Sequence, residues 1–136
     1  MAARTVADLG EFGLISVITA GLRGSDAVGV GPGDDAAVFT PSGDVAVSTD
    51  AMVEDVHFKR VWSGPHDVGR RAAGSALADL EAMGARPVGV VVALTCPADT
   101  PADWATEFAR GVEEECGLAG AVLLGGDITR GDKIVV

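Results

Sequence analysis

Tyrosine is absent from the 136 residues, and aromatic side chains make up only 4% of them. A core here must be built from Ala, Val, Leu and Ile, small side chains that let helices approach a sheet closely and suit layered packing. Cysteine is scarce: Cys96 and Cys116 stand alone with no C-x-x-C spacing. They read as free thiols of a reducing compartment, not as a disulfide or a zinc site. No apolar run approaches the ~20 residues that span a bilayer, and no basic stretch leads into an apolar N-terminal segment. The expectation is a soluble, cytoplasmic chain with no membrane partner. Basic residues are half as many as acidic ones, 10 against 20, for a formal net charge of −10. Such a surface repels phosphate backbones, so nucleic acid is not an expected partner, and an anionic nucleotide would need cations between it and the protein. Missing too are a Gly-Lys-Ser/Thr phosphate loop and any sign of a Ser-His-Asp triad.

Apolar residues account for 48% of the chain and glycines number 19, enough apolar content for one domain with its own core. Asp8 and Glu11 have capping-box spacing, and Phe12, Ile15, Ile18 and Leu22 follow at helical intervals, predicting a first amphipathic helix. Residues 24–33 are glycine-rich and read as a loop. Ala36–Phe39 and Val45–Ser48 are short β-prone runs joined by a turn-rich link, which predicts a hairpin. Residues 51–66 are polar and irregular and hold both histidines, with His66 read as a surface residue. A helix follows from Asp67 to Gly84 on the stripe Val68, Ala72, Ala73, Ala76, Leu77, Leu80 and Met83. Val88–Leu94 is a nearly unbroken apolar run, expected as a strand buried on both faces. Thr100 and Pro101 open a third helix with Trp104, Phe108 and Val112 inside, while Glu113–Glu115 are expected in water. Ala121–Leu124 reads as a buried strand ending at Gly125-Gly126-Asp127, and Lys133–Val136 begins another that stops short, as in a fragment. The fold class expected is α+β: one mixed β-sheet with helices packed on one face.

Four acids stand where solubility does not explain them. In the expected hairpin Asp35 precedes the first strand and Asp50 follows the second, which makes them neighbours at one sheet edge. Asp34, Ser48 and Thr49 flank them with further oxygens. Asp79 projects about 20° into the apolar arc that starts at Val68 and so is expected on the buried face, where a carboxylate needs a partner. Asp127 follows two glycines whose backbone can approach a phosphate closely. Any one of these acids alone reads equally well as a cap or turn residue. Gathered together they repel unless cations enter, and a donor set of hard oxygens without a His/Cys group points to Mg²⁺. Such a set predicts phosphoryl chemistry, with no protein nucleophile needed. His57, beside Val56 and Phe58, reads as a structural histidine or as a contact residue.

The motifs GEFGLI at 10–15, GDDAAV at 33–38, STDAMVEDVHF at 48–58, ALADLEAMGARP at 76–87 and GGDITRG at 125–131 together resemble thiamine-monophosphate kinase. That enzyme belongs to the superfamily of aminoimidazole ribonucleotide synthetase and selenophosphate synthetase. The resemblance covers essentially the whole chain, and the STD…VHF block is its most specific part. It implies ATP-dependent phosphorylation of thiamine monophosphate to thiamine diphosphate with several Mg²⁺ ions. By position it implies metal ligands at Asp35, Ser48, Thr49, Asp50, Asp79 and Asp127, ATP contacts at Gly126 and Asp127, and a substrate contact at His57. It also implies a homodimer whose sheets pair into a barrel-like arrangement. Residues 1–136 would be the N-terminal Mg·ATP-binding and dimerisation domain, with a C-terminal domain absent from this chain. Two positions depart from the family pattern, Ala76 where Asn is usual and Ala78 where Ser is frequent. The alternatives are another ATP-using member of the superfamily, such as a hydrogenase-maturation dehydratase, against which the VHF block argues, or a non-catalytic metal-binding dimerisation module.

Overall fold

The computed structural model describes residues 4–33 and 36–136. Its elements run in the order α1 (Val6–Thr19), β1 (Val28–Val30), β2 (Val38–Phe39), α2 (Pro65–Ala82), β3 (Gly89–Cys96), α3 (Ala102–Leu118) and β4 (Val122–Arg130).

The hub is α3, against which α1, α2 and β4 all pack. Its buried side chains, Trp104, Ala105, Phe108, Ala109, Val112 and Cys116, recur every three or four residues and form a continuous stripe. Trp104 and Phe108, one turn apart, stack with ring centroids 5.5 Å apart. Where α2 crosses α3 the backbones touch. A Cβ on Gly69 would strike the Phe108 carbonyl, and one on Gly111 would strike that of His66. Polar contacts border this seam: Arg70 pairs with Glu115 at 2.8 Å, and His66 Nε2 lies 3.0 Å from Glu114 Oε2. His66 is therefore half-buried and bonded, not a bare surface residue. Glu113–Glu115, expected in water, each reach an arginine, Glu113 on Arg23 and both Glu114 and Glu115 on Arg70. Both cysteines are free and buried, and burial pushes the Cys116 thiol up to about 11.

Strands β3 and β4 pair in parallel, from Gly89 opposite Val122 to Cys96 opposite Arg130. Leu94 and Cys96 face the core with Val90 and Val92, while Val91 on the opposite face is 71% exposed and Ala93 is exposed as well. The strand is thus covered on one face only, not on both as expected. Beyond β3, Thr95 exchanges two backbone bonds with Val135 (2.8 and 3.0 Å), and Met52 exchanges two with Val136 (both 2.9 Å). These bridges add two short antiparallel segments to the parallel pair. The α+β class stands, with strands distributed over small sheets instead of one.

The expected hairpin is not formed. Val38–Phe39 pairs instead with Val28–Val30, from the stretch read as a loop, in an antiparallel register that sets Val28 opposite Phe39. The alternation of Val28 and Val30 around Gly29 offers an adjacent edge, and a Thr40 amide bond to the Ala27 carbonyl at 3.0 Å closes it. Residues 41–50 lie exposed and outside any strand. At α1 the capping box is Thr5/Asp8 instead of Asp8/Glu11: the Thr5 hydroxyl accepts from the Asp8 amide at 3.3 Å, and Asp8 accepts from the Thr5 amide at 2.8 Å. The Thr5 bonds hold the Asp8 carboxyl below its ordinary value. The helix breaks at Gly10, whose φ is 66°, and the piece beyond it leaves Phe12 exposed while burying Leu14. At α3 the N-cap position belongs to Pro101, and the Thr100 hydroxyl is buried without a partner among the described residues. Thr100 serves through its carbonyl, which accepts from the Val6 amide at 2.8 Å.

Candidate nucleotide and metal site

Strand β4 does not stop at Gly125 but carries Gly125, Gly126 and Asp127 within it. The register slips between Val90 and Val91, so Leu124 is passed over and Gly125 faces Val91. Gly125 absorbs the slip with φ 143°, a conformation that disfavours any side chain. Gly126 presses so closely on the Val92 backbone that a Cβ there would collide with the Val92 carbonyl. Asp127, opposite Ala93, is exposed. The three residues form one wall of a cleft of about 570 Å³ between α1 and the β3–β4 pair. Phe12, Ile15 and Ile18 of α1, Val92 of β3 and Val112 of α3 line the rest, so the chamber is apolar with a carboxylate at its border. The helical spacing of Phe12, Ile15, Ile18 and Leu22 marks residues of this region that line it.

Of the remaining acids, Asp50 comes from the exposed segment before α2 and Asp79 from α2 itself. Ser48 donates to Asp79 Oδ2 at 3.2 Å, joining positions 31 residues apart. Thr49 and Asp50 follow in the chain, and Asp50 accepts from the Ala51 amide at 2.8 Å. Asp79 is exposed, contrary to the buried placement expected. The face that α2 turns to α3 centres on Gly69, Ala73 and Leu77, and Asp79 lies about 120° round the helix from Ala73. Desolvation therefore does not demand a partner for it. The argument that set Asp35 beside Asp50 falls with the hairpin, and Asp35 itself lies outside the described residues, as does Asp34. Among the described residues no three His, Cys, Asp or Glu side chains gather closely enough to hold a metal ion by themselves.

His57 sits in a tight turn that bonds to itself. Its amide donates to the Val53 carbonyl at 2.8 Å, and its Nδ1 accepts from the Val53 amide at 3.0 Å. Asp55 takes a φ of 66°, and its amide donates to the Phe58 carbonyl at 2.8 Å. Lys133 reaches Asp55 at 2.8 Å, and that bond holds the Asp55 carboxyl below its ordinary value and raises the lysine. Beneath the turn the buried Glu54 accepts from Arg60 Nε at 2.5 Å and from the Ile134 amide at 3.1 Å. From α2, Arg71 donates to the His57 carbonyl at 2.7 Å. Neither Arg71 nor Lys133 was among the candidate residues read from the sequence. Both act across 14 or more residues of chain, and nothing in local spacing marks them.

Among the described residues no helix is long and apolar enough to cross a membrane. Thiamine-monophosphate kinase of Mycobacterium tuberculosis is 46% identical over 125 residues, 91% of this chain and 38% of that protein. The enzyme of the same name from Corynebacterium glutamicum is 43% identical over 135 residues, 97% of this chain and 39% of that protein. The chain thus spans under two fifths of the length of these curated relatives. The crystal structure of thiamine-monophosphate kinase from Stenotrophomonas maltophilia superposes with a TM-score of 0.72 at 33% identity, over 89% of this chain and 37% of that one. Residues 33–136 match the model of the AIR synthase related protein, N-terminal domain, and the chain belongs to that family.

Proposed function

We propose that this chain is the N-terminal, Mg·ATP-binding and dimerisation domain of a thiamine-monophosphate kinase, which transfers a phosphoryl group from ATP to thiamine monophosphate. A C-terminal domain of the enzyme would complete the site. The observation that carries this reading is the apolar cleft walled by Gly125, Gly126 and Asp127, in a chain whose curated relatives bear that enzyme's name. Its volume lies in the range typical of small-molecule sites. The nucleotide's phosphates would run past the Gly125-Gly126 backbone, with open space beside Gly125 where a side chain would otherwise stand, and Asp127 follows beside them.

The donor set fits Mg²⁺. Ser48, Thr49, Asp50, Asp79 and Asp127 offer hard oxygens and are exposed, as suits an ion that keeps several waters and binds few carboxylates. Those residues, with Asp35, would hold it, and when bound it would neutralise phosphate charge during transfer. Ser48, by bonding Asp79, ties the segment that carries Thr49 and Asp50 to α2 and so holds two donor groups near each other. His57 would meet thiamine monophosphate, whose own phosphate is the nucleophile, so the chain supplies positioning and no attacking group. A second copy would cover the open face of β3, where Val91 and Ala93 are exposed, in keeping with a cytoplasmic homodimer whose sheets pair.

Incubating thiamine monophosphate with ATP and Mg²⁺ tests the reading. Thiamine diphosphate should form when residues 1–136 are joined to the C-terminal domain and not with residues 1–136 alone. Failure of both to form it would overturn the kinase reading. Were the 1–136 chain to bind Mg·ATP in that case, the non-catalytic binding module would be the better account.

A further inference from the structure

His57 is fixed by its own turn in one tautomer. A backbone amide can only donate, so the 3.0 Å contact from the Val53 N–H to His57 Nδ1 requires Nδ1 to be unprotonated. The neutral ring must then carry its proton on Nε2, on the other side of the ring, and the residue is exposed. This arrangement survives only if the 53–58 turn keeps its shape. That shape is costly, since Asp55 holds a φ of 66° without being glycine. Two cations from elsewhere in the fold grip it. Lys133 takes the Asp55 carboxylate, and Arg71 takes the His57 carbonyl at 2.7 Å. Only Arg71 bonds the residue that bears the imidazole, and it does so from α2, a helix anchored by Val68, Ala73 and Leu77 in the core.

We infer that Arg71 is a positioning residue: it locks the His57 backbone so that the imidazole presents its Nε2–H outward as a ready donor to an acceptor oxygen on the substrate. The inference rests on the reading of His57 as a substrate contact. Preorganisation of this kind removes the need to select a tautomer and rotamer at the moment of binding. Arg71 touches no substrate itself. A lysine at 71 keeps a cationic donor for the carbonyl, whereas methionine keeps the stem and loses the bond.

Imidazole nitrogen NMR of the chain resolves the matter because there are only two histidines, and His66, bonded to Glu114, serves as an internal reference. Wild type should show His57 in the Nε2–H form. Arg71→Met should shift His57 towards an averaged pair of tautomers, Arg71→Lys should restore it, and His66 should stay unchanged in both. Thiamine monophosphate added to wild type should move the His57 resonances, and Arg71→Met should weaken that binding about tenfold, the scale of one lost hydrogen bond to a charged group. An unaltered His57 tautomer in Arg71→Met would overturn the positioning role. A fixed tautomer in wild type with no response to thiamine monophosphate would instead overturn His57 as a substrate contact, and the donor role with it.

Discussion

Two parts of this chain face each other as opposites. The α2–α3–β3–β4 assembly is closely packed, with helix backbones in contact at Gly69 and Gly111 and side chains such as Val112 and Cys116 fully enclosed. Residues 41–50, which carry the proposed donors Ser48, Thr49 and Asp50, are exposed throughout, and Val47 is 84% exposed. The contrast teaches where each job resides. Fold stability lies in the helical seam, and the oxygens proposed as ligands lie on a segment that a Ser48–Asp79 bond ties to α2.

Perturbing each side in turn should separate the two. Phe108→Ala removes the stacked partner of Trp104 and opens a hole in the α3 stripe; denaturant titration should show a loss of about 3–5 kcal/mol. Gly111→Ala forces a methyl group against the His66 carbonyl, and the seam should lose about 1–3 kcal/mol by the same measurement. Thr5→Ala should act less and in a pH-dependent way. The folded Asp8 carboxyl sits below its ordinary value, so its contribution is present above that ordinary value and is lost as the pH falls through the folded one. Wild type should therefore exceed Thr5→Ala in stability at neutral pH, with the margin shrinking in acid; a margin that grows in acid would contradict the capping box. Val47→Ser should do least, within about 0.5 kcal/mol. A loss several times larger would mean that the exposed segment is packed in solution and would erase the contrast.

The same division governs what could be read from sequence. Helices α2 and α3 were legible because apolar residues repeat at helical spacing and turn residues mark their ends, and β3 and β4 because their runs are apolar and bounded. What failed depended on partners. Val38–Phe39 could pair with either flanking run, and composition does not say that Val28–Val30 wins. Asp79 was placed by the angular range of the whole apolar stripe, whereas the contact with α3 uses only the part centred on Ala73. The caps were misplaced for a similar reason, since the chain's path decides them: Thr5 takes the place expected of Asp8 at α1, and Pro101 takes the place expected of Thr100 at α3. In the site, residue types and motif order pointed to oxygen-ligand chemistry. The contacts between Ser48 and Asp79 and between Arg71 and His57 are tertiary and were invisible.

Calorimetric titration of ATP into the chain, with and without Mg²⁺, bears most directly on the central claim that these oxygens form a cation-dependent nucleotide site. Wild type should bind ATP only with Mg²⁺ present, and Asp50→Asn and Asp79→Asn should each weaken that binding tenfold or more, roughly the scale of a lost charged ligand, while circular dichroism stays unchanged. Binding that is indifferent to Mg²⁺, or an affinity that both variants leave intact, would contradict it.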